Sequence, residues 1–200
     1  MYAIVESGNI TQTFNNPRKL VINNIRYSTK IYSLWSVDEK KAIGLYEVEY
    51  DNTNKKDEDW YINTNQTLTY DSSADKVTAS YGTATAKAIA DRNGTDDDGV
   101  ELDPVVVIKG LKTIKKEMIN DQCEDILSSS DWRVIKAKET GGTMNSGWKT
   151  WRASVRAKCN SMQTQIDNAS DVDALATLFT YTEQEDGSFT RPLGEFPVKE

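Results

Sequence analysis

Residues 128–166, SSSDWRVIKAKETGGTMNSGWKTWRASVRAKCNSMQTQI, carry the clearest periodicity in the chain. Trp148, Trp151, Val155, Cys159, Met162 and Ile166 recur at steps of three and four. That spacing draws one apolar stripe along a helix. Asn145 or Ser146 can cap its start by accepting a bond from a free backbone N–H. Arg152 and Arg156 lie four apart and share a face, where they repel unless an anion is near. Upstream, Asp131-Trp132 opens a short apolar run that stops at Gly141-Gly142. The expectation is a loop anchored by Trp132, leading into an amphipathic helix that starts with two more tryptophans.

Working backwards, Leu111, Ile114, Met118 and then Cys123 with Ile126 or Leu127 mark the face of an earlier helix after Gly110, a face that Ile119 widens. Working forwards, the stretch from Ser170 to Asp173 can cap a short third helix bearing Val172, Leu175, Leu178 and Phe179. Residues 181–200 are polar with two prolines and read as an extended tail. Residues 91–103 combine Gly94, Gly99, Pro104 just beyond, and a run of acids. They do not spell an EF-hand: with Gly99 as its sixth position, the first ligand would be Gly94. The plain reading is a solvated acidic linker.

The first 82 residues are rich in short alternating runs. Residues 2–6 and 10–14 flank Gly8-Asn9, and residues 20–22 and 25–27 flank Asn23-Asn24; both read as hairpins. Ser36 and Glu39 form a capping box, with Gly44 suited to ending the helix it starts. Residues 45–50 and 77–81 alternate as strands, and residues 60–62 pair in expectation with 67–70. The expected fold is α+β. A β-rich module spans 1–90, an acidic linker 91–109, an antiparallel helical module 110–180 and the tail 181–200.

Composition narrows the function. The chain has no histidine, which removes Ser-His-Asp and Cys-His catalysis and His-ligated metals. Two separated cysteines cannot make a Cys-rich zinc site. No phosphate-loop, dinucleotide or nucleophile-elbow motif occurs. Carboxylates are numerous but cluster in turns, where solvated acids are ordinary. The expectation is a non-enzyme with no cofactor and no metal. A net charge of −7 argues against nucleic acid, whose affinity rests on Lys/Arg contacts to phosphate. No apolar run approaches the roughly 20 residues that span a bilayer, and residues 1–6 lack a basic region followed by a long apolar one, so a signal peptide is not expected. A membrane partner is therefore not expected. On consecutive antiparallel helices, Cys159 would lie about eight residues further from the connection than Cys123, an axial offset of roughly 12 Å. Two reduced thiols are expected rather than a disulfide.

The order Asp131-Trp132, a short loop, Trp148, then Trp151-Arg152-Ala153-Ser154-Val155-Arg156 resembles the C-terminal part of bacteriophage tail-fibre assembly proteins and related tail assembly chaperones. Trp151 stands where that pattern usually has Tyr, and the loop lacks the usual prolines. The resemblance extends loosely to Ile31, Trp35, Gly44 and Tyr46. It implies a chaperone that binds the fibre protein's C-terminal tip without catalysis, in the host cell cytoplasm during assembly. The alternative is a permanent structural tail or fibre component retained in the virion tail, with host-surface glycan binding a third reading. An oligomer within the particle is compatible with these readings.

Trp and Arg dominate binding hot spots, so Trp132, Trp148, Arg152 and Arg156 are the candidate partner-binding residues. Each has a plainer reading beside it. Trp148 and Trp151 would be helix–helix core, Trp132 would pin its loop, and the arginines would be solvated or paired with local acids.

Overall fold

The computed structural model describes residues 1–199. The protein is mixed α+β, with six helices among the described residues and a curled five-stranded sheet. The chain divides into two compact units, Met1–Thr85 and Ala86 onward.

The first unit is built on strands β1 (Tyr2–Glu6), β2 (Asn9–Phe14), β3 (Leu20–Ile22), β4 (Ile25–Tyr27), β5 (Leu45–Asp51), β6 (Tyr61–Ile62), β7 (Gln66–Asp71) and β8 (Lys76–Tyr81). Helices α1 (Ile31–Leu34) and α2 (Val37–Ala42) lie between β4 and β5. The main sheet runs β2-β1-β5-β8-β7. All its pairs are antiparallel except β5–β8, which is parallel.

Ala3 pairs with Tyr46 and Ile4 with Leu45, so consecutive residues point to opposite faces. Both faces are covered. Ala3, Tyr46, Val48, Val77 and Ala79 make one cluster. Ile4 and Leu45 make the other with Leu20, Ile22 and Ile31, which the β3–β4 hairpin and α1 bring over the sheet. Two-sided burial explains why β1 reads as a continuous apolar run rather than strict alternation.

Asn23 and Asn24 both take left-handed conformations, as the two-residue hairpin loop between β3 and β4 requires. The first hairpin turns one residue earlier than read, on Ser7-Gly8. Ser36 and Glu39 form the expected capping box. Gly44 must be glycine: its φ is +80°, and a Cβ there would strike the Val5 carbonyl.

One expected pairing fails. Residues 67–70 do not pair with 60–62; β7 turns instead into β8. Asp71 Oδ1 accepts from the N–H groups of Ser73 and Ala74 and closes that turn. Asn63 meanwhile exchanges two hydrogen bonds of 2.8 Å with the Lys56 backbone, folding 60–62 back on the preceding loop.

The second unit follows the short strand β9 (Thr85–Ala86). Strands β10 (Arg92–Asn93) and β11 (Val107–Ile108) pair antiparallel, with a bridge from Thr95 to Glu101. The stretch 91–109 is therefore a hairpin, where the sequence reads as a bare acidic linker. Asp96 Oδ1 holds its tip by accepting from the N–H groups of Asp98 and Val100. Asp91 accepts from the Gly110 N–H at the start of the next helix, which holds its carboxyl below the ordinary range.

Helices α3 (Leu111–Ser128), α4 (Asp131–Glu139), α5 (Ser146–Asn168) and α6 (Val172–Phe179) complete the unit with strands β12 (Thr182–Glu183) and β13 (Phe189–Thr190). α3 and α5 run antiparallel: Lys112 and Lys116 bond Asp167, Gln163 bonds Asn120, and Arg152 bonds Leu127. Val155, Cys159, Met162 and Ile166 of α5 are buried with Leu111, Ile119 and Cys123 of α3. Asp171 alone caps α6, through the Ala174 N–H.

Three further expectations change here. The Trp132 segment is a helix, α4, rather than a loop. The 181–200 tail is not simply extended: β12 and β13 pair, and Leu193 is fully buried, donating its N–H to the Leu178 carbonyl. The two thiols are neighbours rather than offset. Arg152 is level with Leu127, so the first turns of α5 overshoot the end of α3. That brings Cys159 Sγ to 3.5 Å from Asn120 Oδ1 and beside Cys123. Both cysteines are free. Burial, with the Cys159 thiol alongside, pushes Cys123 up to about 11.

Candidate functional site

The residues singled out between 131 and 156 meet where α3, α4 and α5 join. α4 follows α3 after two residues, and its charges suit its dipole: Asp131 in the first turn, Lys136 and Lys138 in the last. Ser130, between the helices, is fully buried and donates its hydroxyl to the Leu127 carbonyl. Arg152 reaches this corner from α5. Its Nη1 donates to the Leu127 carbonyl at 2.7 Å and to Ser130 Oγ. Its Nη2 donates to Asp131 Oδ1 at 2.6 Å. A charged donor with three acceptors clamps the α3–α4 corner onto α5. The Arg152 side chain is only 11% exposed, so its role here is internal.

The tryptophans take different places from those expected. The buried stripe of α5 begins at Val155; Trp148 and Trp151 are half-buried. They meet edge to face, with centroids 5.5 Å apart. Trp151 donates its Nε1 proton to the Pro197 carbonyl at 2.9 Å, which covers one side of the ring. Trp148 turns toward α4. Between Trp148 and Trp132 lies Arg133, its guanidinium carbon 4.2 Å and 4.4 Å from the two ring centroids. Its Nε is buried and takes no hydrogen bond among the described residues. Two indole faces hold this cation, and among the described residues it enters no ion pair. Asn145 caps α5 by accepting from the Gly147 N–H.

α4 itself buries no residue. Trp132 is 52% exposed and Ile135 57%, and Val134 is exposed beside them. A groove of about 410 Å³ lies between α4 and α5, lined by the apolar Val134, Ala137 and Met144 and the basic Lys149, Arg152 and Arg156. A second, smaller groove lies against Trp132, Arg133, Lys136 and Trp148. Residues 131–158 carry seven basic side chains against two acidic ones, in a chain of net charge −7. Of these, Arg133, Lys136, Lys138, Lys149 and Arg156 enter no ion pair among the described residues. The face thus combines apolar and cationic side chains, which suits docking.

Of the four sequence candidates, the structure brings Trp132 and Trp148 together through Arg133, puts Arg152 in the clamp, and leaves Arg156 exposed in the groove lining. Arg133 and Lys149 escaped the sequence reading. A count of charge along 131–158 would have shown both. Among the described residues no cluster of His, Cys, Asp and Glu could hold a metal ion. No helix among them is long and apolar enough to cross a membrane. Set against known families, curated proteins and solved structures, the chain matches none.

Proposed function

We propose that this protein assists assembly of a bacteriophage tail fibre, holding the fibre protein's C-terminal tip without catalysis in the host cell cytoplasm. One observation carries the reading. The two halves of the Asp-Trp … Trp-Arg-x-x-x-Arg pattern, distant in sequence, are joined by the Asp131–Arg152 pair, while the helix they steady keeps its apolar face open. A pattern that serves only to pack a core would not present Trp132, Val134 and Ile135 to solvent. In this reading the β-rich N-terminal module and the helical C-terminal module divide the work, and the α4–α5 elbow is the client-binding face.

The test is co-expression with the cognate fibre, the gene for which is sought next to this one. Val134→Ala with Ile135→Ala, both exposed, leaves circular dichroism unchanged and lowers the yield of soluble fibre trimer several-fold. An unchanged yield would remove the elbow from the account.

A second reading keeps the protein in the virion as a permanent tail component. It is favoured by the first unit, whose sheet has two covered faces and so stands as a complete body. Proteomics of purified particles separates the two: a transient chaperone is absent, and a subunit appears at fixed stoichiometry.

A further inference from the structure

The second unit carries two faces of opposite character. The elbow from 131 to 158 is basic, with apolar side chains in its groove. The hairpin from 91 to 108 holds six acids, Asp91, Asp96, Asp97, Asp98, Glu101 and Asp103, against the single base Arg92. It too exposes apolar side chains: Val100 is 61% exposed, and Val105, Val106, Val107 and Ile108 are exposed as well. Asp97, Asp98 and Asp103 enter no ion pair among the described residues.

The hairpin tip is held rigid by Asp96 and by the Thr95–Glu101 bridge, so it loses little entropy on docking. It presents one valine, Val100, between carboxylates. The larger elbow groove presents the converse, Val134, Ala137 and Met144 with Lys149 and Arg156. Polarity and charge sign match.

We propose that the occupant of the elbow, in the free protein, is the acidic hairpin of a second copy of this chain. Each copy offers one hairpin and one elbow, so two copies related by a two-fold axis make the contact twice and close the assembly. Val100 enters the groove, and Asp97, Asp98 and Glu101 face Lys149 and Arg156. The inference uses the elbow but needs no fibre, so it stands or falls apart from the proposed function. A fibre tip that binds the elbow would displace the second copy.

The experiment is sedimentation velocity on the purified full chain, alone and as charge-reversed variants. At low ionic strength the wild type sediments as a dimer, twice the 22.5 kDa of the chain. It moves toward monomer as salt shortens the reach of exposed charges. Lys149→Glu with Arg156→Glu reverses the elbow; Asp97→Lys with Asp98→Lys reverses the hairpin. Each double variant keeps its circular dichroism and is monomeric by itself. Mixed in equal amounts they recover the dimer, because each supplies the face the other lacks. A wild type that stays monomeric at low salt overturns the proposal. So does a dimer that survives either reversal, or a mixture that stays monomeric.

Discussion

α4 and α5 belong to the same sequence pattern and lie against each other, yet one is a core helix and the other a surface helix. α5 buries Val155, Cys159, Met162 and Ile166, each three or four residues from the last. α4 holds Trp132, Val134 and Ile135 and buries none of them. The difference is in spacing. Steps of three and four return to one side of a helix; α5 sustains them over four buried positions, whereas α4 makes one such step, from Trp132 to Ile135, with Val134 set off that line. α5 is fixed by area removed from water. α4 is fixed by one clamp, Arg152, and by the cation between two indoles. Apolar content alone therefore does not tell a core helix from a docking helix; period does.

The largest effect should come from the core side of this comparison. Met162 is fully buried, so Met162→Ala removes packed atoms and leaves a cavity. Its cost should be about 2–5 kcal/mol. Ile135→Ala, on the exposed face of α4, should cost less than about 0.5 kcal/mol. Denaturant unfolding of the two variants measures both, and equal costs would break the distinction between the helices.

Next comes the clamp. Arg152→Ala removes hydrogen bonds from a charged donor to Leu127, Ser130 and Asp131, worth about 1.5–3 kcal/mol together. Arg156→Ala, at an exposed position, should stay within about 0.5 kcal/mol of wild type. The sequence treats these arginines as a pair. A thermal melt in which both variants shift equally would restore that symmetry and remove the clamp.

The smallest effect concerns pH and the α3–α5 interface. The folded Cys123 thiol titrates near 11, above its ordinary value of 9.0. Its neutral form thus contributes stability that is present below about pH 9 and is lost as pH rises through about 11. Cys123→Ala should flatten that part of the stability curve, measured by urea unfolding at pH 8 through 11. An identical slope in both proteins would place the thiol in an ordinary solvent environment.

Much of the fold was legible because it depends on local chemistry. The capping box at Ser36, the Asn23-Asn24 turn and the α5 stripe each need only a few adjacent residues. The misread parts depend on distant partners. Nothing near residues 67–70 says that they turn into β8 rather than back to β6, nor that β5 and β8 run parallel. The acids of 91–103 look solvated until Asp96 is seen bonding its own turn.

The candidate site was legible in part. Trp132 and Trp148 stood out by type, but Arg133 gained its role only when α4 folded as a helix beside α5. Arg152 gained an internal partner for the mirror reason: Asp131, 21 residues away in the chain, turned out to be its neighbour.

The central claim is that the outward face of α4 is a docking surface steadied by the Asp131–Arg152 pair. Hydrogen–deuterium exchange on the protein with and without its fibre tests this most directly. The account predicts slowed exchange in residues 131–149 on binding, with the strands of the first unit unchanged. Protection confined to the first unit, with α4 exchanging as fast as before, would contradict it.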